Sequence, residues 1–193
     1  MGLILNGNTP NKILYNGAEV SLYFNGSKIW PNVAPVLDEV TIGTQTWKSK
    51  NLAIDDGQGG IYTQTVNYGQ GDVVEYYYTW DAAVRVAASI SGWHLPTAAE
   101  WDTLAVTVGG TSIGGTKLKS TYGWTEGNGT DDYGFAAFPA GYRNRSNFYY
   151  LYSYAWFWTS TNYKARYLGI GKSIDSYTGD SRDYMTIRLI KDS

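Results

Sequence analysis

The sequence contains no cysteine and a single histidine, His94. The first absence removes disulfides, thiolate metal sites and cysteine nucleophiles together. The second removes any multi-histidine metal centre. An excess of basic charge is missing too. The net charge is −2 and the Lys and Arg residues are scattered, whereas a phosphate-reading surface needs them clustered, so nucleic acid is excluded as a partner. No apolar run approaches the ~20 residues of a membrane span, and no membrane insertion is expected. The start, MGLILNGNTPNK, has neither the basic opening nor the apolar stretch of a signal peptide. With cysteine absent, this points to assembly in a reducing cytoplasm.

What is present suits a globular chain with a sizeable core: 193 residues, 43% hydrophobic and 16% aromatic. Its 23 glycines, many in Asn-Gly or Gly-Gly pairs, indicate a turn-rich, β-dominated fold. Residues 1–35 read as a separate small module. Asn6-Gly7, Asn16-Gly17 and Asn25-Gly26 punctuate short apolar alternations, and Asn-Gly suits the type I′ turn, whose central residues both take φ > 0. Pro31 and Pro35 mark a linker. The module is either a β-extension of the main domain or an attachment module; KILYNGAEVSLYFNGSKIW resembles short β-modules of phage tail and fibre proteins.

The main domain spans 36–193. VTIGTQTWKSKNLA reads as a hairpin followed by a loop, and IDDGQGGIYTQT as a Gly-rich turn region. A first helix is expected from Trp80 to Ser89, with Ala83, Val84, Ala87 and Ala88 as its apolar stripe and Gly92 beyond it. The second helix is announced by Thr97 and Glu100, the spacing of a capping box. Trp101, Leu104, Ala105 and Val108 then give one buried face. A last strand, Tyr184 to Ile190, alternates Met185, Ile187 and Leu189 with Thr186 and Arg188.

Five segments carry a family resemblance: SGWHLPTAAEWDTLA, GGTKLKSTYGW, GTDDYGFAAFPAGYRN, FWTST and the closing IRLIKD. In that order, over roughly residues 38–193, they resemble the Fibrobacter succinogenes major paralogous domain. The resemblance implies an α+β C-type lectin fold, related to formylglycine-generating enzymes, with two helices on twisted, mostly antiparallel sheets. That fold also serves the variable proteins of diversity-generating retroelements, whose C-terminal codons are rewritten at template adenines. The related oxidase chemistry needs paired cysteines, which this chain lacks. The lectin Ca²⁺ motifs, Glu-Pro-Asn or Gln-Pro-Asp with Trp-Asn-Asp, are absent as well. Asp55 and Asp56, or Asp131 and Asp132, could offer oxygens to Ca²⁺, but tight acidic turns are more often simply turns. His94 reads as a packed, hydrogen-bonded residue. No metal, cofactor or catalytic residue is expected.

The segment 141–184 decides the functional reading. Half of its 44 residues are Tyr, Ser, Gly or Asn, with nine tyrosines, and four Arg and three Asp join them. This is a paratope-like composition: Tyr offers a rigid face and a hydroxyl at little entropic cost, while Ser, Gly and Asn adapt. The segment has no Glu and no Gln. The resemblance makes that informative, because an adenine-rewritten AAC codon reaches Tyr, Ser, Asp, Asn, Gly and Arg but not Glu, Gln, Lys, Met or Trp. Trp156 and Trp158, with Lys164 and Lys172, are then fixed positions. Tyr150, Tyr152 and Tyr154 share the parity of an extended strand, and a turn near Ser153 is expected to send both tryptophans inward. Leu168, Ile170 and Ile174 read as apolar anchors. The expected ligand-binding residues are Arg143, Arg145, Asn147, Tyr150, Tyr152, Tyr154, Asn162, Tyr163, Arg166, Tyr167, Asp175, Tyr177, Asp180, Arg182, Asp183 and Tyr184. The expected partner is a protein or glycan of a bacterial surface. The expected setting is a phage tail to which residues 1–35 attach, with a homotrimer as one arrangement. Two rival readings remain: a secreted bacterial surface protein binding polysaccharide, and an enzyme with an unfamiliar carboxylate site.

Overall fold

The structure, a computed structural model, describes residues 39–192 and four short strands before them. These are β1 (Leu14–Tyr15), β2 (Ala18–Glu19), β3 (Leu22–Phe24) and β4 (Ser27–Trp30). β1 pairs antiparallel with β2, and β3 with β4. The registers Tyr15↔Ala18 and Phe24↔Ser27 leave one Asn-Gly pair between the strands of each hairpin. Asn6-Gly7, Pro31 and Pro35 lie outside the described residues. Met1–Leu37 and Asp38–Ser193 form two compact units.

The second unit is mixed α+β and mostly β. Its elements run β5 (Glu39–Ile42), β6 (Gln45–Lys48), β7 (Ile61–Asn67), β8 (Asp72–Tyr78), α1 (Trp80–Ala88), β9 (Trp93–His94), α2 (Ala98–Thr107), α3 (Gly114–Leu118), β10 (Tyr142–Asn144), β11 (Asn147–Tyr149), β12 (Ala155–Trp158), β13 (Lys164–Leu168), β14 (Ile174–Thr178), β15 (Asp183–Tyr184) and β16 (Ile190–Lys191). Its sheets are small and antiparallel: β5-β6-β16-β9, β7-β8, β11-β10-β15 and β12-β13-β14.

The two longer helices, α1 and α2, start where side-chain caps are available, whereas the five-residue α3, beyond the two helices expected, has none. Thr79 accepts from the Ala82 N–H at the head of α1. At α2 the box is complete: Thr97 Oγ1 accepts from Glu100 N at 3.1 Å, and Glu100 Oε2 accepts from Thr97 N at 2.7 Å. The buried face of α2 is as read from the sequence, with Trp101, Leu104, Ala105 and, at its C-cap, Val108. The stripe of α1 is shifted. Ala82, Ala83, Val86 and Ala87 are buried while Ala88 is exposed, and the helix ends on Ser89, before Gly92. Small residues line both sides of α1, so their pattern locates its inner face poorly.

Two apolar cores flank the β12-β13-β14 sheet. Phe157, Leu168 and Ile174 face α2 together with Trp47, Trp101 and Phe135. Ring centroids lie 5.1 Å apart for Trp47–Trp101, 5.7 Å for Trp47–Phe135, 5.8 Å for Trp101–Phe135 and 5.4 Å for Trp101–Phe157, each pair adding about 0.5–1.5 kcal/mol beyond burial. Trp158, Ala165, Met185, Ile187 and Leu189 pack with α1 in the second core. The expected last strand is corrected here. Only Asp183–Tyr184 and Ile190–Lys191 are paired strands, and Thr186 and Arg188 are as buried as the apolar residues between them, at 0% and 1% exposure. Two cores claim opposite faces of this segment, so its polar positions also point inward. There Thr186 Oγ1 donates to the Trp156 carbonyl at 2.7 Å, and Arg188 donates to the carbonyls of Lys48 and Phe135 and to Asn51 Oδ1.

The sequence reading also missed the longest hairpin. IYTQTVN and DVVEYYY pair over seven residues each, from Ile61↔Tyr78 to Asn67↔Asp72.

Candidate functional site: an aromatic face around Trp156

Strand parity decides what the sheet β12-β13-β14 presents. Trp156 pairs with Tyr167, and Tyr167 with Asp175; Trp158 pairs with Ala165, and Ala165 with Tyr177. These residues share one face. Trp156 lies at the centre of it. Its ring stacks on Tyr167 at 4.4 Å and meets Tyr142 at 4.9 Å, Tyr177 at 5.0 Å and Tyr154 at 6.2 Å. Tyr149 and Tyr150 extend the patch by stacking on Tyr142, at 5.5 and 6.2 Å. The result is a continuous surface of seven rings. Trp156 is 6% exposed, and its indole N–H has no acceptor among the described residues.

Local backbone builds this face. At β10-β11 the register Asn144↔Asn147 makes Arg145-Ser146 a two-residue turn, and Arg145 carries φ 53°. Tyr142 and Tyr149 thereby become cross-strand partners. After β11 the chain turns at once: the amides of Ser153 and Tyr154 both donate to the Tyr150 carbonyl at 3.0 Å, and Tyr150 and Tyr152 are left-handed at φ 57° and 65°. Tyr150, Tyr152 and Tyr154 therefore do not share a strand face, contrary to the sequence expectation. Tyr150 and Tyr154 meet at 4.8 Å, while Tyr152 packs on Tyr68 at 6.3 Å. The turn near Ser153 does bury Trp158, whose Nε1 donates to the Tyr78 carbonyl at 2.7 Å. Trp156 it places under the tyrosines. Gly169 admits the Tyr154 ring, since a Cβ there would lie 2.6 Å from it.

Buried polar groups hold the rim. Lys119 is 1% exposed and its Nζ donates to the carbonyls of Gly169 and Gly171, both at 3.0 Å, fixing the β13-β14 connection. Asp183 is 1% exposed. It accepts from Asn144 Nδ2 at 2.6 Å, from the Asp180 amide at 3.0 Å and from the Tyr177 hydroxyl at 3.4 Å. Burial, then Asp183, pushes the Tyr177 hydroxyl up to about 12. Burial also raises Tyr142 and Tyr167, helped by Asp183 and Asp175 respectively. These hydroxyls stay protonated at neutral pH, and that of Tyr177 is already given to Asp183.

Of the sixteen residues expected at the site, Tyr150, Tyr154, Tyr167 and Tyr177 come together, with Asp175 beside Tyr167 in the sheet. Arg166 is corrected. It lies on the other side of the sheet, 7% exposed, and donates to Asp102 at 2.7 Å and to the Ala98 carbonyl at 3.2 Å. Asp183 is a buried strut, not an exposed contact. Arg143 and Tyr184 are turned to the opposite side of β10, where the Arg143 guanidinium lies over the rings of Tyr62 (4.3 Å) and Tyr184 (5.0 Å). Tyr163 packs on Trp80 at 5.1 Å. Asp180 pairs with Arg182 on an exposed loop, and Arg145, Asn147 and Asn162 are exposed in turns or at a hairpin end. Ile170, expected as an anchor, is 47% exposed, whereas Leu168 and Ile174 are buried. Tyr142, Tyr149 and Trp156 were not expected at the site. The two-residue spacing between RN and NFY was the available signal, but Arg-Ser is not a recognisable hairpin turn.

The other candidates resolve as structure. Asp56 is bound by Arg85 at 2.7 and 3.1 Å, and Asp55 and Asp131 accept backbone amides within their turns. Among the described residues no group of three His, Cys, Asp or Glu could hold a metal ion, and no helix is long and apolar enough to cross a membrane.

The family model of the Fibrobacter succinogenes major domain matches residues 40–191. The chain belongs to this family. No curated protein and no solved structure matches it. His94 ties the first turn of α2 to the C-terminal segment. Its Nδ1 bonds Asp192 at 2.7 Å and its Nε2 bonds Glu100 at 2.8 Å, so it is hydrogen-bonded as expected, although its ring is 37% exposed and not packed away. Partial burial alone would lower the His94 pKa, but the two carboxylates outweigh it and the net shift is upward. The stabilisation is then full below the unfolded value of ~6.5 and fades as pH rises through the higher folded value. Urea midpoints measured from about pH 6 to pH 9 should fall in the wild type. His94→Gln should remove that decline; an equal decline in the variant would refute the assignment.

Proposed function

We propose that this domain is a non-enzymatic binding protein whose tyrosine-rich face takes a macromolecular ligand, a protein or glycan on a bacterial surface. The observation that supports this most is the seven-ring patch built on the buried Trp156, with Tyr149 and Tyr150 exposed on it. Rigid aromatic anchors amid adaptable polar residues are what a paratope uses. We read the fold as of the C-type lectin type, and the segment 142–184 as a variable region rewritten by a diversity-generating retroelement. The absence of Glu and Gln there is consistent with adenine-directed change. The Asn-Gly hairpins of residues 1–35 suit attachment to a phage tail, with a homotrimer as one arrangement. Virion assembly would then occur in the host cytoplasm.

The test is to sequence the 3′ end of the gene and its flanks from many clones of one population. The expected result is variation confined to codons for about 142–184, sparing Trp156 and Trp158, with a template copy and a reverse transcriptase gene nearby. A single invariant sequence without a template would overturn the diversification reading. One observation favours a second reading. The stacked Tyr142–Tyr149 and Tyr142–Tyr150 pairs, with Tyr149 and Tyr150 exposed, suit the apolar face of a sugar ring, so a fixed polysaccharide binder on the bacterial surface would use the same residues; glycan-array binding by an invariant sequence would establish it.

A further inference from the structure

A cavity of about 310 Å³ opens beside the β7-β8 hairpin, and its lining shares no residue with the Trp156 face. Its size is within the range of small-molecule sites. The walls are largely apolar or aromatic, with Leu52, Val74, Tyr68, Tyr122 and Phe138 among them. Among the described residues Glu75 is the one acid in the lining, so a paired-carboxylate mechanism has no second acid here; two cations line it as well, Lys50 on its exposed side and the buried Arg188.

Glu75 is 5% exposed, deep for a carboxylate. It accepts from Asn51 Nδ2 at 3.0 Å and from the Tyr68 hydroxyl at 3.1 Å. Both donors are neutral, and both also line the cavity. The buried cation Arg188 reaches Glu75 only through Asn51, whose Oδ1 takes the Arg188 Nη2 bond at 2.9 Å. A carboxylate offers about four acceptor sites, and the protein fills two. Burial pushes the Glu75 carboxyl up against the pull of its two donors and of the Arg188 charge, and among the described residues no cation bonds the carboxylate directly. Such a group in an apolar pocket is costly unless something pairs with it. Two valines, Val73 and Val74, stand 45% and 51% exposed on β8 and belong to the same lining.

We propose that this cavity is a binding site for a small organic cation, with an apolar or aromatic body held among Tyr68, Tyr122 and Phe138 and an ammonium head on Glu75. The cation supplies the charge that Asn51 and Tyr68 do not. This site is separate from the aromatic face and stands whether or not that face binds a macromolecule.

Ligand-detected NMR titrations of the full chain with 2-phenylethylammonium, 2-phenylethanol and phenylacetate test it. The ammonium should bind saturably with a dissociation constant of about 1 mM or below, ordinary for so small a ligand. The alcohol should bind at least about tenfold more weakly and the carboxylate not at all. Equal binding of all three, or no saturation by the ammonium at about tenfold higher concentration, overturns the proposal. Glu75→Gln should weaken the ammonium about tenfold and abolish its preference over the alcohol. Should that variant fail to fold, Val74→Trp decides, because position 74 is half exposed and a large ring there narrows the cavity. About tenfold weaker binding at an unchanged melting temperature supports the site, and unchanged affinity refutes it. Tyr150→Ala should leave the ammonium affinity as it is; a loss there would move the site to the aromatic face and refute the assignment.

Discussion

Arg188→Ala should cost about 3–5 kcal/mol, among the largest single losses expected in this domain. The side chain is 1% exposed and sits between the two cores. Its Nη1 donates to the carbonyl of Lys48 at 3.1 Å and to that of Phe135; Nε and Nη2 both reach Asn51 Oδ1, at 3.3 and 2.9 Å. The guanidinium also lies over the Phe135 ring at 4.4 Å. Truncation removes the donors of two buried carbonyls and of Asn51, and each group left without a partner costs about 1–3 kcal/mol. It also opens a void between three packed segments. Burial pulls the Arg188 pKa down to about 9, offset in part by Glu75 and Asp131, so the group stays charged at neutral pH and its loss also strips Glu75 of a stabilising field. With about 2–4 °C per kcal/mol for a domain of this size, the melting temperature should drop by roughly 6–20 °C. Arg188→Lys should recover part of this, since one ammonium cannot reach three acceptors spread across a planar fork. Urea unfolding of the three proteins measures it. A loss below about 1 kcal/mol for the alanine variant would mean that water replaces the guanidinium and that this polar bridge is dispensable.

Local chemistry was the legible part of this fold. The Thr97–Glu100 box and the stripe Trp101, Leu104 and Val108 identify α2 because both signals act within a few residues and agree. The β7-β8 hairpin was illegible for a matching reason. Its strands carry Thr, Gln, Asn and Asp, and its connection, YGQG, is no tight-turn signature, so nothing local distinguished it from the Gly-rich loop before it. The face around Trp156 was half legible. The tyrosine density located the segment, and strict alternation from Ala165 to Leu168 already opposes Arg166 to Tyr167. What defeated parity was the left-handed backbone at Tyr150 and Tyr152, a conformation that β-rich aromatic residues seldom take. The buried role of Arg188 depends on Lys48, Asn51 and Phe135, and that of Asp183 in part on Asn144, contacts from distant segments that no window of sequence contains.

A scan of single substitutions from 142 to 184, sorted by protease resistance of the displayed domain, should separate two populations sharply. Arg145, Asn147, Tyr149, Tyr150, Asn162 and Lys172 are exposed and should accept most residues within about 0.5 kcal/mol. Trp158, Arg166, Gly179 and Asp183 should accept few. Trp158 fills the second core. Arg166 holds Asp102 and the first turn of α2. A Cβ on Gly179 would meet the Trp158 ring at 2.6 Å and Asp183 Oδ2 at 2.8 Å. Trp158→Ala and Asp183→Ala should each cost roughly 3 kcal/mol or more. One class of substitution should instead stabilise. Arg145 is exposed and left-handed at φ 53° in a two-residue hairpin turn, and such a backbone costs a non-glycine residue about 1–2 kcal/mol. Arg145→Gly and Arg145→Asn should therefore raise stability by roughly 0.5–1 kcal/mol. Both residues belong to the alphabet that adenine-directed change can write, so a diversifying mechanism acting here would vary the face and relax the turn with the same codons. If the tolerant positions proved to be scattered on both sides of β12-β13-β14, or if Arg166 and Asp183 were as replaceable as Tyr149 and Tyr150, the division into a variable face and a fixed support would be wrong, and the binding reading would lose its structural basis.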